Sequence, residues 1–471
     1  MKHILVWFRN DLRVTDNPAL SFAIQQNVKV SAVYIDCPGQ WKLHALGKSK
    51  LDFIAANLEA LKLNLQHNNL CLEVLNCNSF ADVTRLLGDY IHQNDISELV
   101  ANKETGIYEN RRDSAVESTI SIPFTRFSAD CIVNPGDILN KQNLMFKVFT
   151  PFKKSWLRHI QQFGYSMAGS RGVKIKHTQA VKQSTVWPAG ERSAQNRLQE
   201  FCAEKLNDYA HDRDFPALDG GSSLSPYLSI GVLSARQCLS EIENQLGYIP
   251  FSTGENGHSW LNELIWRDFY RHLMEAFPRL SQGLPFKPET IYIDWSENQD
   301  DFKCWCEGNT GFPIVDAAMR CLNRTGYMHN RLRMICASFL VKDLQINWQW
   351  GEQYFMQNLI DADFPSNNGG WQWSAGTGAD AAPYFRIFNP TVQGQRFDPE
   401  GEFILRWLPE LKPVPVKYLH APQIWLDQNK MSEVYVLPIV DHKEARQKTL
   451  ALYQTKNKQI QTGVTHAADN F

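Results

Sequence analysis

No apolar run in this 471-residue chain reaches the ~18 residues that a membrane-spanning helix needs, so no membrane span is expected. The start, MKHILVWFRNDLR, carries too short an apolar stretch for a signal peptide. CxxC pairs are also missing. The ten cysteines are scattered from Cys37 to Cys336, and Cys304 and Cys306 merely flank Trp305. Scattered in this way they read as reduced, mostly buried thiols of a cytosolic protein. Nor is there an excess of charge of either sign, since the formal net charge is −2. A wholesale basic surface is thereby excluded, and any nucleic-acid partner must meet positive potential confined to one groove or face. Repeats and low-complexity runs do not occur. No GxGxxG motif follows the first apolar strand, which argues against an ordinary NAD site.

What is present divides in two. The length exceeds one ordinary core, so two domains are expected. The first ~130 residues alternate short apolar runs with helical patterns, which predicts an α/β domain built on a parallel, Rossmann-like sheet. Strands are expected at 3–8, 28–34, 71–75 and 99–101, and a helix over 51–65. Thr15, Asp16, Asn17 and Pro18 form a helix start, with Asn17 as cap and Pro18 in the first helical position. Ligands of such sheets lie beyond the strand carboxyl ends, here the loops after Phe8, Tyr34 and Ala101. Residues 131–197 are assigned as an interdomain connection, polar and poorly periodic around 168–195. From 198 to 471 the pattern is all-α, with strong helices over 260–277 and 327–344 and a polar tail expected to fray after ~455.

The helical half holds the chemistry. Ten of the 14 tryptophans lie between Trp260 and Trp425, and Trp266, Trp295, Trp371 and Trp373 sit in polar or charged sequence, where indoles often stack or carry electrons. Residues 361–373 hold two acids, Asp361 and Asp363, two asparagines, Asn367 and Asn368, and two indoles, Trp371 and Trp373. Gly369 and Gly370 permit close backbone approach to a flat ligand. Such a stretch suits a planar redox cofactor on one side and a stacked base on the other.

Three further clusters accompany it. Gly220 to Pro226 brings glycines, hydroxyls and a helix start at Ser225, an arrangement suited to a pyrophosphate; an ordinary linker with a cap is the plainer alternative. Trp260, Glu263, Arg267 and Tyr270 fall at three- and four-residue spacing on one helix face, with Trp266 beside Glu263. An interdomain salt-bridge face would look the same. Asn330, Arg333 and Met334 share a face while Arg331 points elsewhere, free to hold a phosphate. A solvated basic face is the alternative there.

At these residues the chain resembles the DNA photolyases of the photolyase/cryptochrome family, in particular the bacterial class I enzymes for cyclobutane pyrimidine dimers. The resemblance runs through VWFRNDLRVTDNPAL at 6–20, MFKVFTPFKKSWL at 145–157, WLNELIWRDFYRHL at 260–273, GFPIVDAAMRCLNRTGYMHNRLRM at 311–334 and the segment 361–390. It implies FAD, folded into a U and active as FADH−. Tyr209, Ser222, Ser223, Leu224 and Ser225 would hold phosphate and ribose. Trp260, Asn330, Arg333, Asp361 and Asp363 would line the rings, and Asn367 would face the reactive ring nitrogen and donate to it.

The implied substrate is a dimer flipped out of UV-damaged DNA, and photolyases are themselves a standard case of base flipping. Trp266 and Trp373 resemble the two aromatic walls of the family's pocket. Glu263 and Asn330 would bond the pyrimidine edges, Met334 would pack on the dimer, and Arg213, Arg267 and Arg331 would serve the DNA rim. Light would move an electron from the flavin to the dimer and back, with no metal required. Trp371, Trp348 and Trp295 resemble the family's route for photoreducing resting flavin. An antenna, 5,10-methenyltetrahydrofolate by resemblance, would meet His44 and Glu109 in the α/β domain. The sequence departs from the family there, with Tyr108 where asparagine is usual and a 102–108 loop one residue longer. A deazaflavin or an empty antenna site are the alternatives. A signalling cryptochrome fits less well, because the tail is short and Trp266, Trp373 and Met334 are present. A (6-4) photolyase would place histidines where Asn330 and Met334 stand. A monomer in the cytoplasm is expected.

Overall fold

The structure, a computed structural model, describes residues 2–169 and 186–461. The polar connection around 168–195 lies largely outside those residues, as does the end of the tail. Five parallel strands form one sheet, β1 (His3–Phe8), β2 (Lys29–Asp36), β3 (Leu72–Asn76), β4 (Glu98–Asn102) and β5 (Phe124–Phe127), in the order β3-β2-β1-β4-β5. The α/β expectation is borne out, and β5 is a strand that apolar periodicity missed because its four residues are each only half-buried. All six residues of β1 are buried, as its continuous apolar run requires of a central strand covered on both faces. The order reverses between β1 and β4, so their carboxyl ends mark the crevice where such sheets bind ligands.

Polar residues lock that end of the sheet. Asn17 accepts from Leu20 N at 3.1 Å and caps the helix Pro18–Gln25, as expected. Asn102 at the end of β4 donates to Asp11 at 2.6 Å and to Asn17 at 2.8 Å. Arg13 donates to Gly231 O at 2.8 Å, and Asp16 is paired with Arg236 at 3.0 Å and Ser234 at 2.6 Å. The polar run at 9–17 is thus a buried clamp rather than a surface loop.

Contacts group the described chain into two units. One holds residues 1–210, 222–282 and 360–365; the other holds 211–221, 283–359 and 366–471. In the first, the helix His258–Ala276 begins two residues before the expected 260 and is fastened by its buried Asp268. That carboxylate accepts from Ile132 N and Val133 N at 3.1 Å and from Trp156 Nε1 at 2.9 Å. In the second, the helix expected over 327–344 is shorter. His329 accepts from Arg331 N and caps a helix that runs Asn330–Ser338, followed by a π-helical turn at Phe339–Asp343. Among the described residues no helix is long and apolar enough to cross a membrane.

Candidate functional site

In the first unit the centre is an acidic turn. Ser225 Oγ donates to Asp361 at 2.6 Å, and Arg271 grips Asp363 with two nitrogens at 2.8 and 3.2 Å. Arg271 Nε also donates to Asp130 at 2.8 Å. Ser225 is therefore not the helix cap expected of it. The helix Ser225–Ser229 has five residues, Leu224 in the cap position and no side-chain cap bond, so it offers no anion site through its own N-terminus. Ser225 instead aims its hydroxyl at the acidic turn. Ser223 adopts φ 52°, Leu224 is buried, and Ser222 and Ser223 are half-buried. Tyr209 and Trp260 both pack on Phe201, at ring distances of 5.6 and 4.8 Å.

The helix His258–Ala276 presents Glu263, Trp266 and Tyr270, each half-buried. Trp266 lies flat on Phe149, centroids 3.6 Å apart and planes 4° apart, and Tyr270 flanks it at 5.6 Å. Arg267, expected at the DNA rim, is turned inward to the carbonyl and carboxylate of Asp130. Burial works to raise the Asp130 carboxyl, but Arg267 and Arg271 overcome it and hold the group far below the ordinary carboxylate range. Sequence reasoning missed Arg271. Its signal was its place four residues after Arg267, on the same face.

In the second unit Asn330 is exposed at the start of its helix, and Arg213, Arg333 and Met334 are half-buried. Arg333 Nε donates to Met328 O at 2.7 Å. Arg331, expected free for a phosphate, already has an ion pair with Asp214 at 2.7 Å and lies 4.3 Å over Phe397. The cluster is nonetheless cationic. His329 is pushed down to about 4 by burial, then by Arg333, Arg331 and Arg213, with only Asp214 opposing. Arginine thus outnumbers aspartate among the groups acting on His329.

The helix Phe364–Ala375 carries the amides and indoles. Asn367 Nδ2 donates to Glu352 O at 2.9 Å, which turns the amide's carbonyl oxygen the other way. That bond uses one of the two Nδ2 hydrogens, so Asn367 has its carbonyl oxygen and its second N–H beyond it. Below it runs a buried chain: Asn368 donates to Glu352 at 2.7 Å, Gln372 to Asn368 at 2.9 Å, and Phe286 N to Gln372 at 2.8 Å. Burial raises Glu352 to about 7, so much of it is protonated at neutral pH. Trp371 is 2% exposed and rests on Gly351, where an added Cβ would stand 2.1 Å from the indole. Its ring neighbours are Phe355 at 5.0 Å and Trp305 at 6.1 Å, and sequence reasoning missed Trp305. Trp348 is 3% exposed, Trp295 is half-buried 6.4 Å from Tyr453, and half-buried Trp373 has Arg386 5.8 Å over its ring.

Beyond the sheet, His44 and Glu109 come together, Nδ1 to Oε1 3.8 Å, with Tyr108 5.9 Å from the imidazole. Burial lowers His44, while burial and then Glu104 raise Glu109 to about 7. Both shifts disfavour the charged forms and so weaken the ion pair between them. Gly106, at φ 129°, has no room for a side chain, because a Cβ there would stand 2.3 Å from the Glu109 carboxylate.

Residues 4–168 match the family described as DNA photolyase, and residues 260–455 match the FAD binding domain of DNA photolyase. A deoxyribodipyrimidine photo-lyase of Salmonella typhimurium is 44% identical, covering 96% of this chain and 99% of its own. The Escherichia coli protein of the same name is 43% identical over the same shares. Among solved structures, a bacterial class III photolyase from Agrobacterium tumefaciens has a TM-score of 0.82 and 31% identity, covering 97% of this chain and 98% of that one. A Synechocystis cryptochrome has a TM-score of 0.84 and 28% identity, covering 96% and 99%. Matched over nearly its whole length, the chain belongs to the DNA photolyase family.

Proposed function

We propose that this protein is a deoxyribodipyrimidine photo-lyase that splits cyclobutane pyrimidine dimers in UV-damaged DNA with light. The observation that carries this reading is the length of the match, 44% identity across 99% of a relative bearing that name. The residues present fit FAD. Ser225 and Arg271 hold the two carboxylates of the 361–363 turn in place, and Asn367 keeps an amide oxygen turned away from Glu352. By the family resemblance, Tyr209, Ser222, Ser223, Leu224, Ser225, Trp260, Asp361, Asp363, Asn330, Arg333 and Asn367 would hold the cofactor.

Bound and reduced, FAD supplies the electron that light moves to the dimer and takes back once the ring has opened. The protein's own part is binding, orientation and electrostatics. The Asn367 carbonyl oxygen would accept a hydrogen bond from a reduced flavin and so favour that form. Trp266, backed by Phe149, would offer one face to a base, and Trp373 resembles the family's second aromatic wall. Glu263 and Asn330 bond the pyrimidine edges, and Met334 fills against the bases. The arginines around His329 attract the phosphates. Trp371, Trp348 and Trp295 would pass electrons to resting flavin, the first two buried and the third half-buried. His44 and Glu109 hold an antenna, a methenyltetrahydrofolate by preference. The protein works as a monomer in the cytoplasm, at the nucleoid when bound to DNA. Damaged DNA given to the flavin-loaded protein returns to monomeric pyrimidines in blue light and not in darkness; equal repair in the dark would sink the reading.

A further inference from the structure

Lys50 belongs to the helix Lys48–His67 of the α/β half. Its side chain is buried, at 4% exposure. Its Nζ donates to the carbonyl oxygen of Ala362, the residue between Asp361 and Asp363, and to Ser229 Oγ at 3.3 Å. Ser229 closes the short helix whose first residue, Ser225, bonds Asp361. One ammonium therefore grips the acidic turn directly and again through the segment that orients it. The charged groups facing it are Asp363, Asp361 and Arg271. All lie within the first unit.

We propose that Lys50 is a positioning residue for the flavin, acting through the Asp361–Ala362–Asp363 turn to set its place and charge and so to favour the reduced cofactor. The inference rests on the FAD reading above. Two aspartates in the turn oppose Arg271, which Asp130 also claims. Lys50 adds a positive charge beside the turn. Without it the turn is more negative, and a reduced, anionic flavin beside it is disfavoured by simple Coulomb repulsion. The effect is titratable. Burial lowers Lys50 to about 8, against the pull of Asp363 and Asp361 in the other direction. Below that pH the tie is charged; above it the amine is neutral and the turn loses a positive neighbour.

The test is the flavin midpoint potential of the FAD-loaded protein, measured by spectroelectrochemistry from pH 6 to pH 10 for wild type, Lys50→Met, Lys50→Gln and Lys50→Arg. Lys50→Met and Lys50→Gln are expected to lie at lower potential below pH 8, by roughly tenfold in the reduced-to-oxidised ratio, and to converge on wild type above it. Lys50→Arg keeps the charge and should stay near wild type at low pH and above it at high pH. In parallel, hydrogen exchange of the peptide spanning residues 360–365 in flavin-free protein should quicken in Lys50→Met and less in Lys50→Arg. Unchanged potentials across all four proteins at full FAD occupancy overturn the role of Lys50 while leaving the FAD reading intact. Failure of wild type itself to bind FAD overturns both. Should Lys50→Met not fold, the Gln and Arg variants carry the same comparison of charge against no charge.

Discussion

Phe149 and Trp266 lie face to face with their ring centroids 3.6 Å apart. The stack covers one face of the indole and fixes its tilt, so Trp266 can offer only the other face to a ligand. Phe149→Ala should free the ring. Aromatic pairs of this kind contribute about 0.5–1.5 kcal/mol beyond area burial. Affinity for dimer-containing DNA should fall by roughly 2- to 10-fold, with intact-DNA affinity unchanged. Trp373→Ala, which removes a wall outright, should cost damaged-DNA binding about 1–3 kcal/mol. Gel-shift titrations with matched damaged and intact duplexes check both, and an unchanged ratio in either variant removes that wall from the pocket.

Trp295 is the half-buried member of the indole series, and Trp371 and Trp348 are buried. Trp295→Phe should slow photoreduction of oxidised flavin while leaving repair by chemically prereduced protein nearly intact. Flash photolysis and a repair assay separate the two. Joint loss of both activities would assign Trp295 a structural role.

Glu352 gives a pH-dependent stability. Its carboxyl sits near 7 in the fold because burial disfavours its charge, against 4.5 when exposed. Ionising it in the folded state is therefore penalised. The penalty is absent below pH 4.5, grows between 4.5 and 7, and is complete above 7. Glu352→Gln keeps the acceptor for Asn368 and removes the charge. It should match wild type near pH 4.5 and exceed it by roughly 2–4 kcal/mol at pH 8, read from urea denaturation at each pH. Equal stability of the two proteins at pH 8 would mean that Glu352 ionises without cost.

Arg213, Arg331 and Arg333 act on His329 against Asp214 alone. DNA affinity should accordingly fall steeply as salt rises. Removing Arg213 should flatten the slope of log affinity against log salt by about one. A slope independent of salt in the wild type would contradict a basic phosphate-binding rim.

The sequence carried much of this. The six-residue apolar run at His3–Phe8 and the Asn17–Pro18 start were legible because local chemistry decides them: a buried parallel strand reads as unbroken aliphatics, and an amide caps what proline opens. The indoles and carboxylates of 361–373 were legible because such residues have few uses so close together. What was hidden depends on long-range partners. Arg267 looked like a DNA contact until Asp130, 137 residues away, claimed it. Ser225 looked like a cap until Asp361, 136 residues away, took its hydroxyl. Nothing local marks Lys50 as the partner of Ala362. The orientation of Asn367 is likewise set by a backbone carbonyl, Glu352 O, that no side-chain pattern reveals.

The most direct measurement is the yield of restored pyrimidine monomers when flavin-loaded, prereduced protein and dimer-containing DNA are divided between blue light and darkness. Repair that appears only in the illuminated half, and scales with light absorbed by the flavin, is the expected result. Repair in both halves, or in neither with FAD fully bound, would contradict it.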